Sequence, residues 1–296
     1  SDMAVMRRML AKADVFVSNL APGAVARMGL DGASLRVENT GLTCVTITGY
    51  GETGDAADKK AYDFLVQGES GICAVTGTKD APARVGVSLS DLSTGLTAFS
   101  AILRSLIQRA RTGHGSDLSI AMFDVMADWM NMPLLAHRYM GQAPERTGLQ
   151  HSFIAPYGAF MCKSGQQVLL SIQNNREWAE FCKQVLMRPD LIADTRFLDN
   201  PDRYANRMVL DALVNEVFAQ YDVGSVIAKL EKARIANGAL SSVEELSNHR
   251  FLKNTAASFG GTEISLAALP IRGAEDGPTQ VPALGAHSQA VRSEFQ

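Results

Sequence analysis

Twice in its first fifty residues the chain passes from a helical or loop segment into a short β-branched run that ends in a loop, and this rhythm constrains the fold most. Ala13-Asp-Val-Phe-Val-Ser18 follows an amphipathic helix pattern at Met3 to Lys12 and leads through Asn19-Leu-Ala-Pro-Gly-Ala24 into helical Val25 to Leu30. Leu42-Thr-Cys-Val-Thr-Ile-Thr48 then ends in the glycine loop Gly49-Tyr-Gly-Glu-Thr-Gly54. Strands alternating with helices in this way belong to a parallel sheet.

Further along, residues 62 to 72 read as a short helix, Pro82 to Leu89 as an extended arm and Leu92 to Arg111 as a long helix. Leu92, Leu96, Phe99, Leu103, Leu106 and Ile107 recur there at three- and four-residue spacing, and Thr112-Gly113-His-Gly115 supplies a left-handed stop. Ser116 to Ile120 reads as a strand, and Phe123 to Met130 as a helix closing a first domain of residues 1–132. Two prolines and several small residues make 133–150 a linker. The pattern then changes to two β-prone runs, Tyr157 to Cys162 and Gln167 to Ile172, followed by helical Asn175 to Leu186, Asn206 to Gln220 and Val223 to Ala233. This is a smaller α+β domain, 151–236. The last segment, 237–296, shows one helix near Ser242 to Ser247 and little other regular pattern. The expected fold class is α/β, with an open parallel sheet in the first domain.

Composition narrows the function classes. With 296 residues, 46% of them hydrophobic and 20% charged, the chain can bury a sizeable core. Its net charge of -3 is carried by dispersed residues, which argues against a nucleic-acid partner. No apolar run approaches the roughly 18 residues of a membrane span, so no membrane association is expected. Cys44, Cys73, Cys162 and Cys182 lack Cys-x-x-Cys spacing and read as reduced thiols of a cytoplasmic protein. His114, His137, His249 and His287 show no metal-ligand spacing, and no metal is expected. Asp124 and Asp128 read as a solvated helix face, and Met122, Met126 and Met130 as core filler.

Asp91 closes the run Arg84-Val-Gly-Val-Ser-Leu-Ser-Asp-Leu-Ser-Thr-Gly95, at an expected strand-to-helix junction. In open α/β sheets ligands bind beyond the carboxyl ends of the strands, and a helix N-terminus presents its positive dipole end. A carboxylate there suits a nucleophile. Asp is equally a residue that caps a helix, here one starting at Leu92, and the two roles can coexist. Gly95, one turn into the helix, suggests a close approach to the backbone, either by a ligand or by a packed neighbour.

Several segments in order resemble the class III, CaiB/BaiF-type CoA-transferases. They are Asn19-Leu-Ala-Pro-Gly-Ala-Val-Ala-Arg-Met-Gly29, Gly49-Tyr-Gly51, Ala61-Tyr-Asp-Phe-Leu-Val-Gln67, Val87 to Gly95, Arg111-Thr-Gly-His-Gly115 and Val281-Pro-Ala-Leu-Gly-Ala-His287. Thr147 to Gly158 and Ile172 to Trp178 are similar to the branch acting on mesaconate, itaconate and citramalate. The resemblance implies a Rossmann-like large domain built from both chain ends, hence 237–296 returning to it, and two chains interlocked as a homodimer. It also implies strand and helix units ahead of Met3 that this sequence does not contain.

The same resemblance implies roles for residues. Asp91 would be the covalent nucleophile, Tyr62 an oxyanion donor, and Asp63 the residue that orients Tyr62 or the acceptor; Asp63 is otherwise a cap for the short helix after it. Asn19, Ala24, Arg27, Met28, Lys60 and Gly95 would meet coenzyme A, while His151, Tyr157 and Arg176 would meet the carboxylic acid. His151 falls where the family has a mobile loop. Coenzyme A thioester and a small acid are then substrates, with no permanently bound cofactor. The implied activity is transfer of CoA between short dicarboxylic acids, with mesaconyl-, itaconyl-, citramalyl- or succinyl-CoA as donor. The alternatives are an acyl-CoA racemase, which would want a His where Tyr62 stands, and a silent CoA-binding protein.

Overall fold

The computed structural model describes residues 2–21, 23–271 and 280–296. Two compact units divide the chain: Ser1–Gly148 with Ser288–Gln296, and Leu149–His287. Among the described residues no helix is long and apolar enough to cross a membrane.

The first unit is built on the expected parallel sheet. Its chain order is α1 (Asp2–Lys12), β1 (Val15–Ser18), α2 (Ala24–Arg27), α3 (Gly32–Glu38) and β2 (Thr43–Thr48), followed by a 3-10 turn at Gly54–Ala56. Then come α4 (Asp63–Glu69), α5 (Ile72–Val75), α6 (Leu89–Thr112), β3 (Asp117–Ala121), α7 (Met122–Trp129) and α8 (Asn131–Met140). β2 is the central strand, parallel to both neighbours, with Ser18 opposite Thr46 and Thr48 opposite Ala121. Leu42, Thr43, Cys44 and Val45 are almost fully buried, as a strand covered on both faces must be.

α6 runs antiparallel to the strands and packs on the sheet by an unexpected face. Its buried residues are Ser90, Ser93, Thr94, Ala98 and Ser105, all small. Small side chains let the helix axis approach α7 and the sheet closely. The hydroxyls stay satisfied: Thr94 Oγ1 donates to the Ser90 carbonyl at 2.6 Å, and Ser105 Oγ lies 2.8 Å from Thr43 Oγ1. The apolar recurrence that marks the helix in the sequence points the other way. Leu92, Leu96, Phe99, Leu103 and Ile107 are between 44 and 63% exposed.

Three expectations need correction in this unit. Arg84 to Val87 is not a strand: buried Gln67 accepts the Val85 N–H at 2.9 Å and donates to the Val85 and Val87 carbonyls, so a side chain satisfies this arm in place of a sheet. α6 begins at Leu89, which puts Asp91 third in its first turn and Ser88 at the N-cap position. The expected linker 133–150 is partly α8, because Pro133 falls in the first turn of that helix, where a missing N–H costs nothing.

The second unit holds an antiparallel sheet of β4 (Tyr157–Met161), β5 (Gln167–Ser171) and, later in the chain, β6 (Ala236–Ala239). Between β5 and β6 lie α9 (Asn175–Glu180), a π-helical turn (Phe181–Val185), α10 (Asn200–Ala205), α11 (Arg207–Phe218) and α12 (Val223–Lys232). These elements close over one apolar cluster around Trp178, Phe181, Phe197, Leu210 and Phe218. Phe160 meets Phe218 edge-on, with 6.1 Å between ring centroids.

The described residues of 237–296 are more regular than their sequence suggests. α13 (Val243–Ser247) carries a full capping box between Ser242 and Glu245. β7 (Asn254–Phe259) and β8 (Thr262–Ala267) form a hairpin, joined in parallel by β9 (Gln280–Val281). Gly260 and Gly261 both adopt positive φ, 56° and 82°, the two-residue turn that a Gly-Gly pair supplies. β7 and β8 group with the second unit, and α14 (Ser288–Glu294) and the residues after it with the first. Arg292 pairs with Asp2 there, and Arg8 donates to the Phe295 carbonyl.

Candidate active site

The first turn of α6 is held by a carboxylate from another helix. Asp63, 9% exposed, accepts the Ser90 backbone N–H at 2.9 Å and the Ser90 hydroxyl at 2.7 Å on Oδ1, while Gln67 Nε2 donates to Oδ2 at 2.9 Å. Asp63 is the first residue of α4, where Tyr62 occupies the N-cap position without a side-chain bond. The helix it caps is therefore α6, not the one it begins. Burial alone would raise its pKa, but the bonds from Ser90 and Gln67 outweigh that and hold the carboxyl below the usual range. With three donors on its carboxylate, Asp63 holds the turn that carries Asp91.

Asp91 is exposed, and among the described residues its side chain makes no hydrogen bond or ion pair. Partial desolvation of the carboxyl, then the negative charge of Asp63, raise its pKa. Gly95 lies one turn on, along the same helix face. A Cβ built there meets nothing within 4 Å, so among the described residues no packing neighbour explains this glycine. Helical side chains lean toward the N-terminus, and any side chain at 95 would lean toward Asp91.

Tyr62 is 73% exposed beside Asp63. Its segment is fixed at the carboxyl end of β2, because a Cβ on Gly49 would stand 2.1 Å from the Ala61 Cβ. Lys60 is exposed in the same segment, whereas Lys59 lies over the Tyr50 ring at 4.2 Å.

A second feature opens at the carboxyl end of β1. Asn19 and Met28 line a cleft of about 420 Å³ with Phe16, Leu20 and Met3. Gly23, at φ 73°, carries the Arg27 guanidinium folded over it, and Ala24 is half-buried beside them. Since β1 and β2 are parallel, this cleft and the Asp91 turn share the carboxyl-end side of the sheet.

In the second unit His151 and Tyr157 come together: their rings stack at 4.8 Å with 16° between planes. His151 Nδ1 accepts the Phe153 and Ile154 N–H groups at 3.1 and 3.2 Å, which leaves Nε2 to carry the ring proton. Arg176 is exposed on the first turn of α9, and among the described residues no contact joins it to that pair. It is placed at the same end of the sheet, since Tyr157 pairs with Ser171 and Arg203 bridges the Ala155 carbonyl to Asn175.

The comparisons with known proteins decide the family. The model described as CoA-transferase family III matches residues 1–288. This chain belongs to CoA-transferase family III. It is 32% identical to the acetyl-CoA:oxalate CoA-transferase of Acetobacter aceti, covering 99% of the chain and 77% of that protein. It is 31% identical to the succinate–glutarate CoA-transferase of Agrobacterium fabrum, with 82 and 60% covered. A crystal structure of a CaiB/BaiF family protein from Brucella suis superposes with TM-score 0.82 at 31% identity, covering 99% of the chain and 78% of that one. The chain thus spans between about half and three-quarters of the length of its curated relatives.

Within this family III chain, the parts that sequence reading missed are the supports. Gln67 and Ser90 hold Asp63, and the signal for Gln67 was its place four residues after Asp63. In the second unit Asn200, Arg203, Arg207 and Asp211 hold the loop 150–157. Asn200 and Arg203 belong to α10 and Arg207 and Asp211 to α11, and their three- and four-residue spacing is the only mark they leave in the sequence. Two of the set are enclosed: Arg203 is 1% exposed and Asp211 8%.

Proposed function

We propose that the protein transfers CoA between short dicarboxylic acids through a covalent intermediate on Asp91. The observation that carries this reading is a carboxylate that pairs with none of the described residues, on a helix turn fixed from behind by Asp63, beside a glycine with open space over its backbone. The Asp91 carboxylate attacks the thioester carbonyl and expels CoA thiolate, leaving a mixed anhydride. The thiolate then attacks the Asp91 carbonyl, releases the donor acid and forms an aspartyl-CoA thioester. The acceptor carboxylate displaces the thiolate from Asp91, and the thiolate takes the acceptor's acyl group while Asp91 leaves as carboxylate.

Tyr62 donates to the oxyanion of each tetrahedral species. The cleft at Asn19 and Met28, with Ala24 and Arg27 beside it, receives coenzyme A, and Lys60, in the segment before Tyr62, meets it as well. Gly95 gives the acyl chain room against α6. His151, Tyr157 and Arg176 meet the distal carboxylate of the acid. Relatives acting on oxalate, glutarate and, at 27% identity, mesaconate support the dicarboxylate class. The apolar stripe of α6 supports a homodimer, and the free thiols a cytoplasmic setting.

The reading is tested by incubating the protein with succinyl-CoA and oxalate, glutarate or mesaconate in deuterated water, then weighing the CoA esters. Formation of the acceptor's CoA ester without α-deuterium supports it. Deuterium incorporation without transfer would assign a racemase instead.

A further inference from the structure

The loop that presents His151 is bound along nearly its whole backbone by side chains of two successive helices, α10 and α11. Arg207 Nη1 donates to the His151 carbonyl at 2.5 Å, and Nη2 donates to the Ile154 and Tyr157 carbonyls at 2.7 and 3.1 Å. Asn200 takes the next position, donating to the Phe153 carbonyl at 2.9 Å and accepting the Ala155 N–H at 3.1 Å. The loop closes on itself as well, with the His151 N–H bound to the Tyr157 carbonyl at 2.9 Å. Asp211, one turn beyond Arg207, faces its Nε at 3.7 Å and accepts Gln150 Nε2 at 2.6 Å.

One guanidinium therefore gathers both ends of the segment whose two rings stack. A planar donor fork fixes direction as well as distance, which an ammonium does not. The Arg207 side chain is 12% exposed, too enclosed for its charge to serve a ligand directly. We propose that Arg207 is the positioning residue of the acid-binding loop, holding His151 flat on Tyr157 with Nε2 as the donor to a substrate carboxylate. The loop is a prebuilt platform. The inference rests on the reading of His151 as a carboxylate contact.

The test compares Arg207→Lys, Arg207→Gln, His151→Ala and the double variant Arg207→Gln/His151→Ala, each checked for folding by circular dichroism, with acceptor concentration varied. A lost ångström of alignment costs up to about 100-fold, so the acceptor KM rises about 10- to 100-fold in both Arg207 variants while the KM for the CoA ester stays near wild type. The double variant is no worse than His151→Ala alone, because Arg207 acts through His151. A raised acceptor KM in His151→Ala with none in the Arg207 variants overturns the proposal, as does an additive double variant.

If His151→Ala leaves the acceptor KM unchanged, the reading of His151 fails by itself. Nitrogen-15 NMR of the imidazole then decides the positioning: a tautomer and ring-stacking shift unchanged in Arg207→Gln overturns it, and their loss supports it. Should Arg207→Gln not fold, Asn200→Ala, which removes the adjacent pair of loop bonds, carries the same expectation in both readouts.

Discussion

The Asp63 carboxylate accepts the backbone N–H of Ser90 at 2.9 Å, so one acid fixes the helix turn on which the next residue, Asp91, is presented. A tertiary cap of this kind couples the stability of α6 to the geometry of the site. Asp63→Ala leaves the Ser90 N–H and Gln67 Nε2 without their acceptor. We expect a loss of about 1–2 kcal/mol in denaturant unfolding, the usual cost of a lost cap, and a larger loss in kcat than in substrate KM. Wild-type stability together with wild-type kcat would refute the role.

Gly95 separates stability from activity. Its Cβ position is open, so Gly95→Ala should stabilise α6 by about 0.5–1 kcal/mol. The new methyl leans toward Asp91, and kcat/KM should fall, further in Gly95→Leu. A stabilised variant with full activity would show that nothing approaches the backbone there.

The apolar stripe Leu92, Leu96, Phe99, Leu103 and Ile107 predicts self-association. Leu96→Glu with Phe99→Glu should shift sedimentation from dimer to monomer, or to aggregate. A wild-type protein that sediments as a monomer at micromolar concentration would remove the dimer from the account.

Asp211 gives a pH signature. Burial pushes its pKa up to about 6, only partly offset by Arg207 and Gln150. The unfolded value is about 4, so the native state binds the proton more tightly. Its carboxylate therefore costs no stability below about pH 4, and an increasing amount as the pH rises from about 4 to about 6. The cost levels off above that, at about 2–3 kcal/mol. Urea titrations at several pH values should show the wild type losing that much relative to Asp211→Asn between pH 4 and pH 7. Parallel curves would contradict the assignment.

Much of the first unit was legible because its strands are short β-branched runs ending in loops. The face on which α6 packs was not. Helical periodicity reports that apolar residues share a side, and the usual inference puts that side inward. Here Ser90, Ser93 and Ser105 are inside and Phe99 outside, because close approach to the sheet needs small residues. The arm before α6 misled for a related reason: an alternating run reads as a strand, but its hydrogen bonds are taken by the Gln67 amide, a long-range event with no local mark. The β7–β8 hairpin did carry a local signal, Gly260-Gly261 between β-prone runs. The Arg207 clamp carried only spacing, and spacing alone does not separate a buried polar ladder from a solvated face.

The central claim is covalent chemistry on Asp91. The direct measurement is peptide-mapping mass spectrometry after incubation with succinyl-CoA and hydroxylamine, which converts an activated carboxyl into a hydroxamate. The account predicts a hydroxamate on the peptide holding Asp91 and none in Asp91→Asn. Transfer activity without modification at Asp91 would contradict it.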